Sequence, residues 1–155
     1  MVNHESTTAP AALEHPSHPR LDLCLPSKEG MRLHWSGLHG SADVLAAVSM
    51  AKQLDQLCVV VTNQPATSDR WHDAVTFFSS DASVPNLRFP DWETLPYDAF
   101  SPHQDIISER LSTLQHLRHA RCGLLTVPVS TLMQRVPPLS YLDGACFELV
   151  CGAIF

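Results

Sequence analysis

No stretch of this 155-residue chain approaches the ~20 consecutive apolar residues of a membrane span; the most apolar run is only Leu57 to Val61. A soluble protein is expected. Basic residues are also scarce, with 10 Lys and Arg against 16 Asp and Glu and a formal charge of −6. Phosphate neutralisation needs clustered cations, so the composition argues against a free-standing nucleic-acid binder and leaves at most weak DNA contact. The five cysteines, at 24, 58, 122, 146 and 151, contain no C-x-x-C pair, so they specify neither a disulfide framework nor a zinc site. A reducing cytoplasm fits them best. The first 20 residues hold Pro10, Pro16 and Pro19 among scattered His, Ser and Thr, with Glu5 and Glu14 and no apolar run. That is neither a secretory signal nor a transit peptide, and a disordered tail is expected there. Internal repeats are absent.

What is present is a 45% hydrophobic composition, enough for one ordinary core and one main domain. From Met31 onward, segments of opposite period alternate. A short strand is expected around Arg32 to Ser36, then a helix from Ser41 to Gln53 with Val44, Leu45, Val48 and Ala51 on one face. Leu57 to Thr62 reads as a buried strand. Pro65 stands near the start of a helix to about Ser79 that turns Trp71, Ala74, Val75 and Phe78 inward, and Leu87 to Phe89 returns as a strand. A helix from Pro102 follows, then a strand from Gly123 to Val127 and a short helix from Pro128 through Gln134. The Pro137-Pro138 pair breaks the chain, and Cys146 to Val150 reads as a last strand. This alternation predicts an α/β fold with a mostly parallel sheet and helices on both faces.

A strand ending near Ser36, a Gly-containing turn and a helix form the place where a phosphate-binding loop would sit. The residues are Gly37-Leu38-His39-Gly40-Ser41-Ala42-Asp43-Val44. A working loop ends in Gly-Lys-Ser/Thr, because the lysine neutralises phosphate, the hydroxyl binds magnesium and the glycine lets the backbone approach. Here Ala42, Asp43 and Val44 hold those three places. An aspartate repels a triphosphate and a valine cannot ligate a metal. The outline of a nucleotide site, Gly37 and Gly40 included, is therefore expected without its chemistry.

The most distinctive stretch is Asp91-Trp92-Glu93-Thr94-Leu95-Pro96-Tyr97-Asp98-Ala99-Phe100-Ser101-Pro102-His103-Gln104-Asp105-Ile106-Ile107-Ser108-Glu109-Arg110-Leu111-Ser112-Thr113-Leu114. It reads as a Pro-punctuated loop feeding a capped helix. Ser101 is the expected cap, Pro102 the first helical residue, and Gln104 the end of an S-x-x-Q box. Ile107, Leu111, Leu114 and Leu117 make one apolar stripe. A loop and a core helix are preferred here to a catalytic role.

These residues resemble the N-terminal region of bacterial transcription-repair coupling factors. The resemblance runs from about Arg32 to Val150. Its most specific parts are Asp91 to Leu114, with Asp91, Trp92, Glu93, Leu95, Pro96, Tyr97, Asp98, Ser101, Pro102, His103, Gln104 and Arg110 as motif residues, and the run Val127 to Val136. It implies a UvrB-like domain over residues 26–142 whose ATP site has degenerated, after a tail at 1–25 and before the first strand of a UvrA-interaction domain at 143–155. The compact turn from Trp92 to Phe100 replaces the Tyr-rich hairpin by which UvrB handles DNA. For the family the resemblance implies a cytoplasmic, ATP-driven DNA translocase of transcription-coupled nucleotide excision repair. Such a protein displaces stalled RNA polymerase and recruits UvrA. ATP, magnesium and DNA contact belong to motor domains absent from this segment, which has no cofactor or catalytic residue of its own and acts as an interaction module. The ending Cys151-Gly152-Ala153-Ile154-Phe155, without a polar cap or return helix, reads as a truncated frame and implies an aggregation-prone fragment. A P-loop ATPase or helicase-like fragment is the alternative, and an independent α/β binding protein a third.

Three smaller constellations have bland and sharp readings. His116-x-x-His119-x-x-Cys122 could ligate a metal, but histidines at a helix C-terminus complement its dipole. Asp91, Glu93 and Asp98 could bind magnesium, but Pro90 and Trp92 interrupt the strand-then-acid pattern, so they read as loop and capping carboxylates. Trp35, Trp71 and Trp92 read as core or loop anchors, because no basic residues interleave with them.

Overall fold

A computed structural model of the chain describes residues 23–79, 84–95 and 97–145. The chain order is α1 (Ala42–Leu54), β1 (Leu57–Thr62), α2 (Pro65–Phe78), β2 (Asn86–Arg88), α3 (Gln104–Leu117), β3 (Gly123–Pro128), α4 (Val129–Leu132) and α5 (Leu139–Ala145). The strands form one three-stranded parallel sheet in the order β1-β3-β2, with Leu57 opposite Gly123 and Asn86 opposite Leu124.

The central place of β3 explains its sequence. Neighbours flank both edges and helices cover both faces, so all six of its residues are buried and only Thr126 among them carries a polar side chain. Successive side chains point to opposite faces. One core gathers Cys58 and Leu124 with Val44, Ala47, Val48 and Ala51 of α1 and Val75 of α2, with Trp71, Ala74 and Phe78 packed against it. The other gathers Phe89, Leu125 and Val127 with Leu57, Leu87, Leu114 and Leu117. The expected α/β arrangement with helices on both faces is what forms. On α1, Ala47 rather than Leu45 completes the inward face. Leu124 and Val75 are fully buried, each contributing about 1.5–3 kcal/mol.

Local geometry fits the composition. Pro65 opens α2 at a position where the missing N–H costs nothing. Asp55 ends α1 in the left-handed region at φ 48°, donating its N–H to the Ala51 carbonyl. Gly123 has φ +134°, and a Cβ there would lie 2.9 Å from the Pro85 carbonyl oxygen. That close approach lets Leu124 N–H donate to the same oxygen at 2.8 Å.

Several expectations are corrected. Residues 31–39 form no strand. Met31 and Leu33 are exposed there, and among the described residues no strand pairs with the backbone of 32–36. The α3 cap is His103, not Ser101: His103 is extended and its Nδ1 accepts from the Asp105 N–H at 3.3 Å. Pro102 therefore lies before the helix, and Gln104 is its first residue rather than the end of a capping box. The short α4 stops at Leu132 instead of Gln134. Leu139–Ala145 is an unexpected helix, its start fixed by the Pro138 carbonyl accepting from Tyr141 N–H at 3.0 Å. The expected strand Cys146 to Val150 lies outside the described residues.

Candidate functional site

The exit of β2 and the face of α3 build the best-defined polar arrangement in the described structure. Phe89 extends the strand by donating its N–H to the Thr126 carbonyl at 3.0 Å. Two α3 side chains then fasten the departing backbone. Thr113 Oγ1 donates to the Arg88 carbonyl at 2.7 Å, and an Arg110 guanidinium nitrogen donates to the Pro90 carbonyl at 2.5 Å. Arg110 is only 3% exposed. Its guanidinium lies over two rings, 4.2 Å from the centroid of Phe89 and 4.0 Å from that of Trp92. A buried cation is costly unless it is hydrogen-bonded and paired. Burial pulls the Arg110 pKa down, and nearby Asp91 pushes it back up.

Asp91 ties the same place to the segment that follows β3. Its Oδ1 accepts from Thr131 Oγ1 at 2.8 Å and from Gln134 Nε2 at 3.0 Å. Residues about 40 positions apart in sequence thereby clamp the loop base, and neither Thr131 nor Gln134 carries a sequence signal for this role. The clear signal was Trp92 beside Asp91. Its cationic partner arrives 18 residues later, on a helix, which is why searching for basic residues next to the tryptophan missed it.

Beyond that base the motif turns outward. Asp98 Oδ2 accepts from the Leu95 N–H at 2.7 Å, and Asp98 N–H donates to the Leu95 carbonyl at 3.1 Å, closing a tight turn. Glu93 and Tyr97 sit at φ 58° and 79°, values that side-chain-bearing residues adopt at a cost. Leu95, Tyr97 and Phe100 are 74%, 105% and 82% exposed. Glu93, Asp98, Ser101 and Asp105 surround them at exposed positions, and His103 Nδ1 lies 3.2 Å from the Asp105 carboxylate. Pro102 lines a groove of about 350 Å³ with Trp92, Leu95 and Arg135. Ile107, Leu111 and Leu114 line a second cavity of about 330 Å³ that Tyr141 of α5 borders. Pro96 lies outside the described residues.

The structure thus joins Asp91, Trp92 and Arg110 at a buried base and places Glu93, Leu95, Tyr97 and Asp98 at the tip. The Gly37–Val44 segment is separate. Gly37 and Gly40 take positive φ of 75° and 64°, and Ala42 N–H donates to the His39 carbonyl at 3.2 Å. Ser41 caps α1 without a side-chain bond. Asp43, in the first turn of α1, accepts from the Val44 N–H at 2.8 Å, so its carboxylate occupies the helix terminus where a phosphate would need to lie. Among the described residues, no three His, Cys, Asp or Glu side chains come together as a metal-holding group. His116 Nδ1 instead faces the Ser112 carbonyl at 2.8 Å. Among those residues, no helix is long and apolar enough to cross a membrane.

Fold and site together define a small parallel α/β unit whose distinguishing feature is a projecting loop clamped at its base. No family model matches the chain. It is 49% identical over 103 residues to the transcription-repair-coupling factor of Haemophilus influenzae, covering 66% of this chain and 9% of that protein. With the Escherichia coli transcription-repair-coupling factor it shares 46% identity over 128 residues, 83% of this chain and 11% of the relative. The Myxococcus xanthus protein of the same name is 32% identical over 135 residues, again 83% and 11%. The chain is thus a homologue of a segment of transcription-repair coupling factor, spanning about a tenth of the length of these relatives.

Proposed function

We propose that this chain acts as a non-catalytic interaction segment of a transcription-repair coupling factor, in transcription-coupled nucleotide excision repair. The supporting observation is the clamped loop: Leu95, Tyr97 and Phe100 stand in water, while Arg110 and Asp91 fix the backbone behind them. Exposed apolar groups on a braced, strained turn suit docking, because little ordering entropy remains to be lost on binding. The surrounding carboxylates favour a protein partner with Lys or Arg around an apolar recess over a nucleic acid. In this reading, residues 26–142 form a UvrB-like domain with a lapsed nucleotide site, and 143–155 begin a UvrA-contacting domain. ATP- and magnesium-dependent translocation on DNA, in the cytoplasm, resides in parts of the longer relatives that this chain does not match.

Purified UvrA and purified RNA polymerase, passed separately over the immobilised chain, test the proposal. At least one should bind, and a Leu95→Ser/Tyr97→Ser/Phe100→Ser variant should bind at least about tenfold more weakly with an unchanged circular-dichroism melt. No binding by either protein, or binding indifferent to the variant, would overturn it. Calorimetry with ATP and magnesium should give no saturable heat; saturable binding would favour an ATPase fragment instead.

A further inference from the structure

A third cavity, of about 420 Å³, lies beside α1, whose Asp43, Ala47 and Met50 line it, and its lining differs in kind from the others. Trp35 and Trp71 contribute two indoles; Met31, Leu38 and Met50 add apolar and thioether surface; among the described residues Asp43 is the one ionisable group in the lining. The Trp35 indole nitrogen is already engaged, donating to the Cys24 carbonyl at 3.3 Å. What the cavity offers an occupant is therefore apolar surface, aromatic π-density and one carboxylate. Among the described residues, neither lysine nor arginine lines it.

We propose that this cavity binds a small organic cation, an ammonium carried on an apolar body. Indole faces attract a desolvated cation through their quadrupole, and quaternary ammonium groups are the ligands such surroundings hold best. A carboxylate completes the charge balance, and the volume falls within the range of small-molecule sites. The same chemistry excludes phosphates. Asp43 belongs both to this cavity and to the lapsed nucleotide loop, so the residue that repels a triphosphate is the one that attracts a cation. A neutral molecule of equal shape would keep only the apolar contacts.

Titration of the full chain with choline, followed by tryptophan fluorescence, tests the site, with 3,3-dimethylbutan-1-ol as its uncharged isostere. Choline should saturate and bind roughly tenfold more tightly than the alcohol, without competition from ATP. Asp43→Asn should weaken choline at least about fivefold and leave the alcohol unchanged. Met31→Lys, at a 42%-exposed rim position, should abolish choline binding in a protein with a wild-type melt. Absence of saturation by choline, equal affinity for choline and the alcohol, or Asp43→Asn and Met31→Lys proteins that bind choline as the wild type does would each overturn the proposal. None of these results bears on docking through Tyr97, which is read out with protein partners.

Discussion

The Arg110 guanidinium lies 4.0 Å from the centroid of the Trp92 ring and 4.2 Å from that of Phe89. A helix and a strand exit are thereby joined through a cation that is almost fully buried. The motif loop keeps its course because this cation also carries the Pro90 carbonyl.

Arg110→Met keeps much of the side-chain volume and removes the charge. The Pro90 carbonyl loses its donor and both rings lose their cation, so the variant should be less stable by about 2–4 kcal/mol. Urea unfolding followed by fluorescence checks this. A loss within about 0.5 kcal/mol, the range of an ordinary surface change, would count against the clamp.

Asp91→Ala leaves the buried Thr131 hydroxyl and the Gln134 amide without their acceptor. The expected cost is about 1–3 kcal/mol. Asp91→Asn retains one carbonyl oxygen for both donors and should cost less. Chemical denaturation of the two variants checks the order, and equal losses would show that geometry matters less here than charge.

Gly123→Ala should be worse than a glycine replacement on an open surface. Its Cβ would meet the Pro85 carbonyl oxygen at 2.9 Å, and the residue sits at a φ that costs a non-glycine about 1–3 kcal/mol before the clash is counted. Comparing its thermal melt with that of Gly144→Ala, which meets nothing within 4 Å, separates the contact from the loss of glycine as such.

Cys58 is buried, and burial pushes its thiol pKa up. An acid whose folded pKa is raised stabilises the fold fully below its unfolded pKa of about 8.5. That contribution is lost as pH rises above it and through the folded value. Stability should therefore fall on the alkaline side more steeply in the wild type than in Cys58→Ala, measured by urea midpoints at neutral and alkaline pH. Exposed Cys24 should react with a thiol reagent well before Cys58 does, as peptide mass mapping can show.

Most of the secondary structure was legible because local rules and tertiary demands agree. Leu57 to Thr62 and Gly123 to Val127 have apolar runs suited to a buried parallel sheet, and Pro65 marks the start of α2. Legibility failed where a partner decides. Arg32 to Ser36 alternates like a strand, but strand formation needs a neighbour to receive its hydrogen bonds, and among the described residues none pairs with this segment. Ser101 and Pro102 carry a sound capping signal, but Pro102 helps line the groove beside Trp92 and the cap passes to His103.

The sequence by itself determined the α/β pattern, the apolar faces of α1 and α2, and the unusual loop from Asp91. Periodicity, proline and charge act over a few residues, so one strand of letters displays them. The tertiary structure alone decided that Arg110 lies over both Phe89 and Trp92, that Asp91 reaches Thr131 and Gln134, and that Trp35 and Trp71 share a cavity with Asp43. Those pairings depend on how helices settle on a sheet, a choice made by packing among residues tens of positions apart, and no local spacing encodes it.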